Sequence, residues 1–208
     1  MDRAQWAAIT AVVLALLFAA AAAVATAGDG GRDTGPHAPA TDSADAGFAR
    51  DMSDHHQQAV EMSFVVRERT TDEEVRRLAY DIANTQANQR GMMQGWLEMW
   101  GLPKVSMDQK PMEWMGMPVD DPEGRMPGMA SRAEMERLRG ASGRQAEVLY
   151  LQLMTEHHKG GVHMAEGCVR QCEPGVERDL AQGMVTAQQS EIGLMADLLK
   201  ARGAAPRR

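Results

Sequence analysis

Laid over itself with a shift of 102 residues, the chain matches its own sequence, and that repeat limits what it can become. Phe48-x-x-x-Met52-x-Asp54-His55-His56-x-x-x-Val60-x-Met62 falls on Tyr150-x-x-x-Met154-x-Glu156-His157-His158-x-x-x-Val162-x-Met164. The offset continues without a gap: Leu78-Ala79 over Leu180-Ala181, Gln86 over Gln188, Gln89 over Glu191, Met93 over Met195 and Gly101 over Gly203. A unit with one apolar stripe is not stable alone. A second copy offers it a matching stripe to bury.

Each unit reads as two helices. Phe48, Met52, His55, Ala59 and Met62 are spaced by four, three, four and three residues, so they share one helical face. This predicts a first helix from about residue 46 to 69 and a break at Thr70-Thr71-Asp72. Asp72 or Thr71 can cap a second helix, with Glu73 and Glu74 in its positive first turn. That helix ends near Gly101, with Pro103 beyond. In the second unit, a third helix spans about 132 to 170, with a break around Gly140 to Gly143. Glu173-Pro174-Gly175 turns the chain into a fourth helix, about 176 to 201. No period-2 strand pattern occurs. The expected fold is all-α: a four-helix bundle made of two duplicated hairpins, over residues 46–203, with repeats 46–101 and 148–203.

Residues Ala4 to Ala27 carry no charge, and Ala25-Thr26-Ala27 is an A-x-A-like cleavage site. The run is about as long as the ~20 residues that cross a bilayer. Residues 1–28 therefore read as a cleaved signal peptide or a membrane anchor held through residues 6–27, and either exports the rest. A buried core helix is the bland alternative. Residues 29–45, rich in Gly, Pro, Asp, Thr and Ser, read as a flexible linker that also holds His37. The connector 102–130 is Pro/Gly-rich, holds six methionines, and is too long for a simple turn.

Methionine is over-represented, with 17 in 208 residues, 16 of them between Met52 and Met195. Five of six histidines fall in two clusters. An adjacent pair on a helix diverges by about 100°, which puts His55 and His157 inward and His56 and His158 to one side. Four buried imidazoles are costly unless something binds them. Gln86, Gln89, Gln188 and Glu191 on the partner helices could satisfy them without metal. The duplicated His-His with Met on both sides favours a metal. Thioether selects soft ions, chiefly Cu(I), with Ag(I) as a mimic, whereas zinc sites do not normally use Met. Cu(II) could bind the imidazoles beside Asp54, Glu61 or Glu156. A di-iron bundle would show Glu-x-x-His, and no inward copy is present.

The candidate metal ligands are His55, His56, Met52, Met62, Met93, His157, His158, Met154, Met164 and Met195. His163, which stands where the first unit has Glu61, is an extra ligand for the second half. The connector methionines serve either metal capture or adaptable packing. Met92, Met99, Met135 and Met184 read as core filling. Cys168 and Cys172, four apart at a helix end, leave a disulfide, free thiols or a thiolate copper site open. Net charge is −7, which excludes duplex nucleic acid as a natural partner. No Ser/His/Asp or Cys/His nucleophile set stands out.

The doubled pattern from Phe48 to Met93 and from Tyr150 to Met195 is similar to the exported family called domain of unknown function 305, over about residues 46–203. The resemblance implies a ferritin-like four-helix bundle. Some members of that family are periplasmic copper-binding proteins linked to copper resistance, which implies His55, His56, His157, His158, Met52, Met62, Met154 and Met164 as ligands. The second copy departs from the first in having Gly160-Gly161 where the first has Gln58-Ala59. That pair should loosen the third helix locally, so equal metal binding by the two halves does not follow from the resemblance. The reading is thus an exported protein that binds copper for sequestration, transfer or resistance. A metal-dependent oxidoreductase and a metal-free helical interaction module are its rivals.

Overall fold

The computed structural model describes residues 38–207, and the apolar segment and most of the 29–45 linker lie outside them. Within the described residues there are five α-helices and no strand. None of these helices is long and apolar enough to cross a membrane.

Helix α1 (Ala44–Arg69) starts two residues earlier than its apolar stripe indicates, because the Ser43 hydroxyl accepts from the Ala46 N–H at 3.1 Å. It stops at Thr70, whose backbone turns extended. Asp72, not Thr71, caps α2 (Glu73–Met99), accepting from Val75 N–H at 3.0 Å. The third predicted helix is two elements. Short α3 (Arg132–Gly140) opens on a capping box between Ser131 and Glu134, and α4 (Gly143–Gln171) follows the break. Helix α5 (Val176–Ala201) completes the bundle.

Helix α1 pairs with α2 and α4 with α5, and the two hairpins meet across α1 and α4. These two run antiparallel. Asp45 of α1 accepts from the Glu173 N–H just beyond α4, His55 lies against His157, and Ser63 shares a hydrogen bond with Tyr150. As one number rises the other falls.

The core lies in two parts on either side of the His-His level. One holds Met62, Val66, Leu78, Ile82, Tyr150, Leu151, Met154, Met195 and Leu199. The other holds Phe48, Met52, Met93, Leu97, Met164, Cys168, Ala181 and Met184. Each large side chain buried this way contributes roughly 1.5–3 kcal/mol. Met135 and Met184 fill core as read, but Met92 and Met99 do not: they face solvent, at 41% and 69% exposure, on the outer side of α2. The stripe on α2 passes through Met93, so its neighbour Met92 points away.

The connector is held along the bundle by polar contacts. Arg50 donates to the Pro103 carbonyl at 2.9 Å. The Asp51 carboxylate accepts from Met112 N–H at 2.7 Å and from the Trp114 indole N–H at 2.8 Å. Burial pushes the Asp51 carboxyl up to about 6, against the pull of those two donors. Met112 holds a left-handed backbone, φ 66°, an unusual state for a non-glycine residue. Of the connector methionines, Met112 and Met126 are buried in the core, whereas Met107 and Met117 are exposed.

Candidate metal centre

Four imidazoles, His55 and His56 from α1 and His157 and His158 from α4, are fully buried at the crossing of the two helices. The His55 and His157 rings lie 3.8 Å apart and are tilted by 34°, and His157 and His158 are 6.3 Å apart. The inward faces of two amphipathic helices put them there, as the 4-3 spacing predicts.

Every one of the four holds its Nε2 against an oxygen. His55 Nε2 is 3.1 Å from the Pro127 carbonyl, and His157 Nε2 is 2.9 Å from the His55 carbonyl. His56 Nε2 is 2.8 Å from Gln89 Oε1, and His158 Nε2 is 2.7 Å from Glu191 Oε2. A carbonyl or carboxylate oxygen only accepts, so each Nε2 carries the proton. The lone pair of each neutral ring is thereby left on Nδ1. All four Nδ1 atoms are buried without a hydrogen-bond partner. A buried acceptor left unpaired costs about 1–3 kcal/mol. Ligating histidines commonly donate their other N–H to a carboxylate or carbonyl, as these do, but among the described residues no three of these histidines bring ligand nitrogens within 4.8 Å of one another.

Burial keeps His55, His56 and His157 neutral. It pushes His55 down to about 4 and His56 down to about 3, and the neighbouring rings oppose a second charge. His157 is driven well below the ordinary histidine value by burial first and then by His55, His158 and His56.

The thioethers divide evenly across this level. Met62, Met154 and Met195 lie in one part of the core, and Met164, Met52 and Met93 in the other. Under the 102-residue shift each member of one trio maps onto a member of the other, so the two trios are repeat-mates. All six are fully buried.

Other candidates stand apart. His163 is only partly buried, and no hydrogen bond or ring contact among the described residues joins it to the four. Five and six residues beyond the pair, it is turned by roughly 140° and 240° around α4. The carboxylates considered for Cu(II) look outward: Glu61 pairs with Arg139, Glu156 pairs with Lys159, and Asp54 is exposed. Cys168 and Cys172 form a disulfide. Helix α4 ends at Gln171, and Cys172 already has extended backbone, φ −68° and ψ 152°.

The metal-free account of the histidines holds only in part. Gln89 and Glu191 do take one nitrogen each, but Gln86 has both amide atoms unpaired, and the Gln188 carbonyl is unpaired too. Two of the four oxygen partners are main-chain carbonyls, which carry no sequence signal.

The glycines that set the second copy apart do not loosen α4, which is continuous through them. A Cβ on Gly160 would lie 1.8 Å from the Pro127 carbonyl oxygen, and one on Gly161 would lie 2.4 Å from Gln188 Oε1. Gly160 therefore admits the connector at the point where Pro127 reaches His55. Its repeat-mate Gln58 grips the same connector, with its amide donating to and accepting from the Ala130 backbone at 2.9 and 2.7 Å.

The fold and site define an all-helical bundle with a buried imidazole level between two thioether layers. The chain belongs to the family described as domain of unknown function (DUF305), which it matches over residues 45–199. It is similar to the crystal structure of a DUF305 protein from Streptomyces coelicolor that is assigned as secreted. That likeness has 70% identity and a TM-score of 0.76, covering 81% of this chain and 99% of that one. A DUF305 fragment from Deinococcus radiodurans is 34% identical, with TM-score 0.66, covering 80% and 99%. CopM in its Cu(I)-bound form shares the fold, with TM-score 0.57 at 21% identity, covering 76% and 96%. CopM has also been crystallised with Cu(II) and with silver. No curated protein matches the chain.

Proposed function

We propose that this protein is exported and binds copper, Cu(I) foremost, in the His/Met centre of its bundle, for sequestration or handover outside the cytoplasm. The observation that carries this reading is the set of four buried Nδ1 lone pairs without a partner. Thioethers on both sides match the soft character of Cu(I). The metal-bound forms of CopM, and the assignment of the Streptomyces relative as secreted, support the same reading. His55, His56, His157 and His158 supply nitrogen, and Met52, Met62, Met93, Met154, Met164 and Met195 supply sulfur. The bound ion is cargo, and nothing in the reading requires turnover.

The test is an anaerobic Cu(I) titration against a chromophoric chelator, with mass spectrometry for stoichiometry. The protein should out-compete the chelator, and a His55/His56/His157/His158→Ala variant should not. Equal competition by both would remove the histidines from the site.

A further inference from the structure

At the end of the bundle where α1 begins and α5 begins, three ligand-type side chains converge away from the histidines. Asp45 in the first turn of α1, Glu177 in the first turn of α5 and Cys172 at the end of α4 are all buried. Their ligand atoms all lie within 4.8 Å of one another. Cys168 Sγ, bonded to Cys172, is a fourth.

Glu177 is the anomaly. It is only 4% exposed, and neither carboxyl oxygen has a hydrogen-bond partner. Burial, and then the nearby Asp45, push its carboxyl up to about 9, so it carries a proton at neutral pH. One Asp45 oxygen accepts from the Glu173 N–H at 3.1 Å. The Glu177 carboxyl is aimed at the disulfide with nothing to bind.

We propose that Asp45, Glu177, Cys168 and Cys172 form a redox-gated site for a borderline-soft divalent cation of the Zn2+ class, open only when the disulfide is reduced. A disulfide sulfur is a poor ligand, so the oxidised form offers two carboxyls. Reduction supplies the other two donors. A dithiol reductant gives two electrons and two protons, is itself oxidised to a disulfide, and leaves two thiols on the protein. The arriving ion displaces both thiol protons and the Glu177 proton, and takes two thiolates and two carboxylates. Two sulfurs and two oxygens are a normal tetrahedral donor set for Zn2+, with Zn–S near ~2.3 Å and Zn–O near ~2.0–2.2 Å. The exposed turn at Glu173–Gly175 gives a reductant its approach to Cys172.

The full chain, purified in detergent, is titrated with Zn2+ against a zinc chelator in the oxidised and reduced states. Mass spectrometry confirms the gain of two hydrogens. Zn2+ held elsewhere contributes to both states and cancels in the difference. Reduction should tighten binding of one ion by at least about 100-fold. Co2+ in place of Zn2+ should show a thiolate charge-transfer band in the reduced state alone. Glu177→Gln, which keeps both thiols and the buried shape, should lose most of the gain. Equal affinity in both states overturns the proposal, as does a gain untouched by Glu177→Gln, which would reduce the site to a bare dithiol. A disulfide that reduces only on unfolding overturns it as well. None of these outcomes depends on copper binding at the histidines.

Discussion

His55 and His157, residues related by the internal repeat, stack on each other with ring centroids 3.8 Å apart. A residue meets its own repeat-mate only at an axis of symmetry, so the approximate two-fold of the duplicated bundle passes between these rings. One proton there opposes the next, which makes the imidazole level sensitive to acid.

The His55, His56 and His157 rings take up protons far less readily folded than unfolded, where histidine titrates near ~6.5. As pH falls below ~6.5 the unfolded chain binds more protons than the native one. Stability is therefore full above that value and declines on acidification toward 4. Each ring contributes up to about 1.4 kcal/mol per pH unit. Urea unfolding of the apo protein from pH 7 to 5 should show the decline, and His56→Gln should make it shallower. A stability that is flat or rises with acid would contradict the buried neutral rings.

Glu177 acts with the opposite sign. Its carboxyl is raised from an ordinary value to about 9, so the native state keeps a proton that the unfolded state has lost. Stability from this group is present at low pH and falls as pH rises through that interval. Glu177→Gln should raise the melting temperature at pH 8–9, by a few degrees for each ~1 kcal/mol recovered, and leave pH 4–5 nearly unchanged. An equal shift at both pH values would show that the effect is not ionisation.

Repeat-mates also differ in their outer support. His158 leans on the Glu191 carboxylate, whereas His56 leans on the Gln89 amide. A carboxylate behind a ligating imidazole raises its basicity, and losing such a partner typically costs 10–100-fold in metal affinity. Glu191→Ala should therefore weaken Cu(I) binding more than Gln89→Ala, read by the same chelator competition. The reverse order would place the ion nearer the first repeat.

Two glycine substitutions should separate fit from propensity. Gly160→Ala puts a methyl group into the Pro127 carbonyl, and should destabilise by about 2 kcal/mol or more and speed proteolysis within 102–130. Gly183→Ala meets nothing within 4 Å and should stabilise α5 by roughly 0.5–1 kcal/mol. Matching melting shifts in the two variants would remove the connector's close seat on α4.

Helices and the imidazole level were legible because burial repeats every three to four residues, and His55, Met62 and their mates carry that rhythm in plain letters. Asp72 and the Gly140–Gly143 break were legible as local chemistry. The Pro127 and His55 carbonyls were not, since every residue has one. Gly160 was misread as a weak point because the atom that needs its space arrives from a distant segment. His163 stood out by its place in the repeat, whereas its angle on the helix turns it away from the four rings. Asp45 and Glu177 gave no signal at all, for the bundle end that joins them is a product of the antiparallel crossing.

Gln58 and Gly160 occupy one and the same place in the two repeats, yet one holds the connector and the other yields to it. Two copies of the first hairpin alone could form a symmetric dimer, but with glutamine at both places there would be no seat for Pro127. Two copies of the second would have the seat twice and the clasp nowhere. Each half thus depends on the other at this one place: neither suffices to rebuild the whole by doubling.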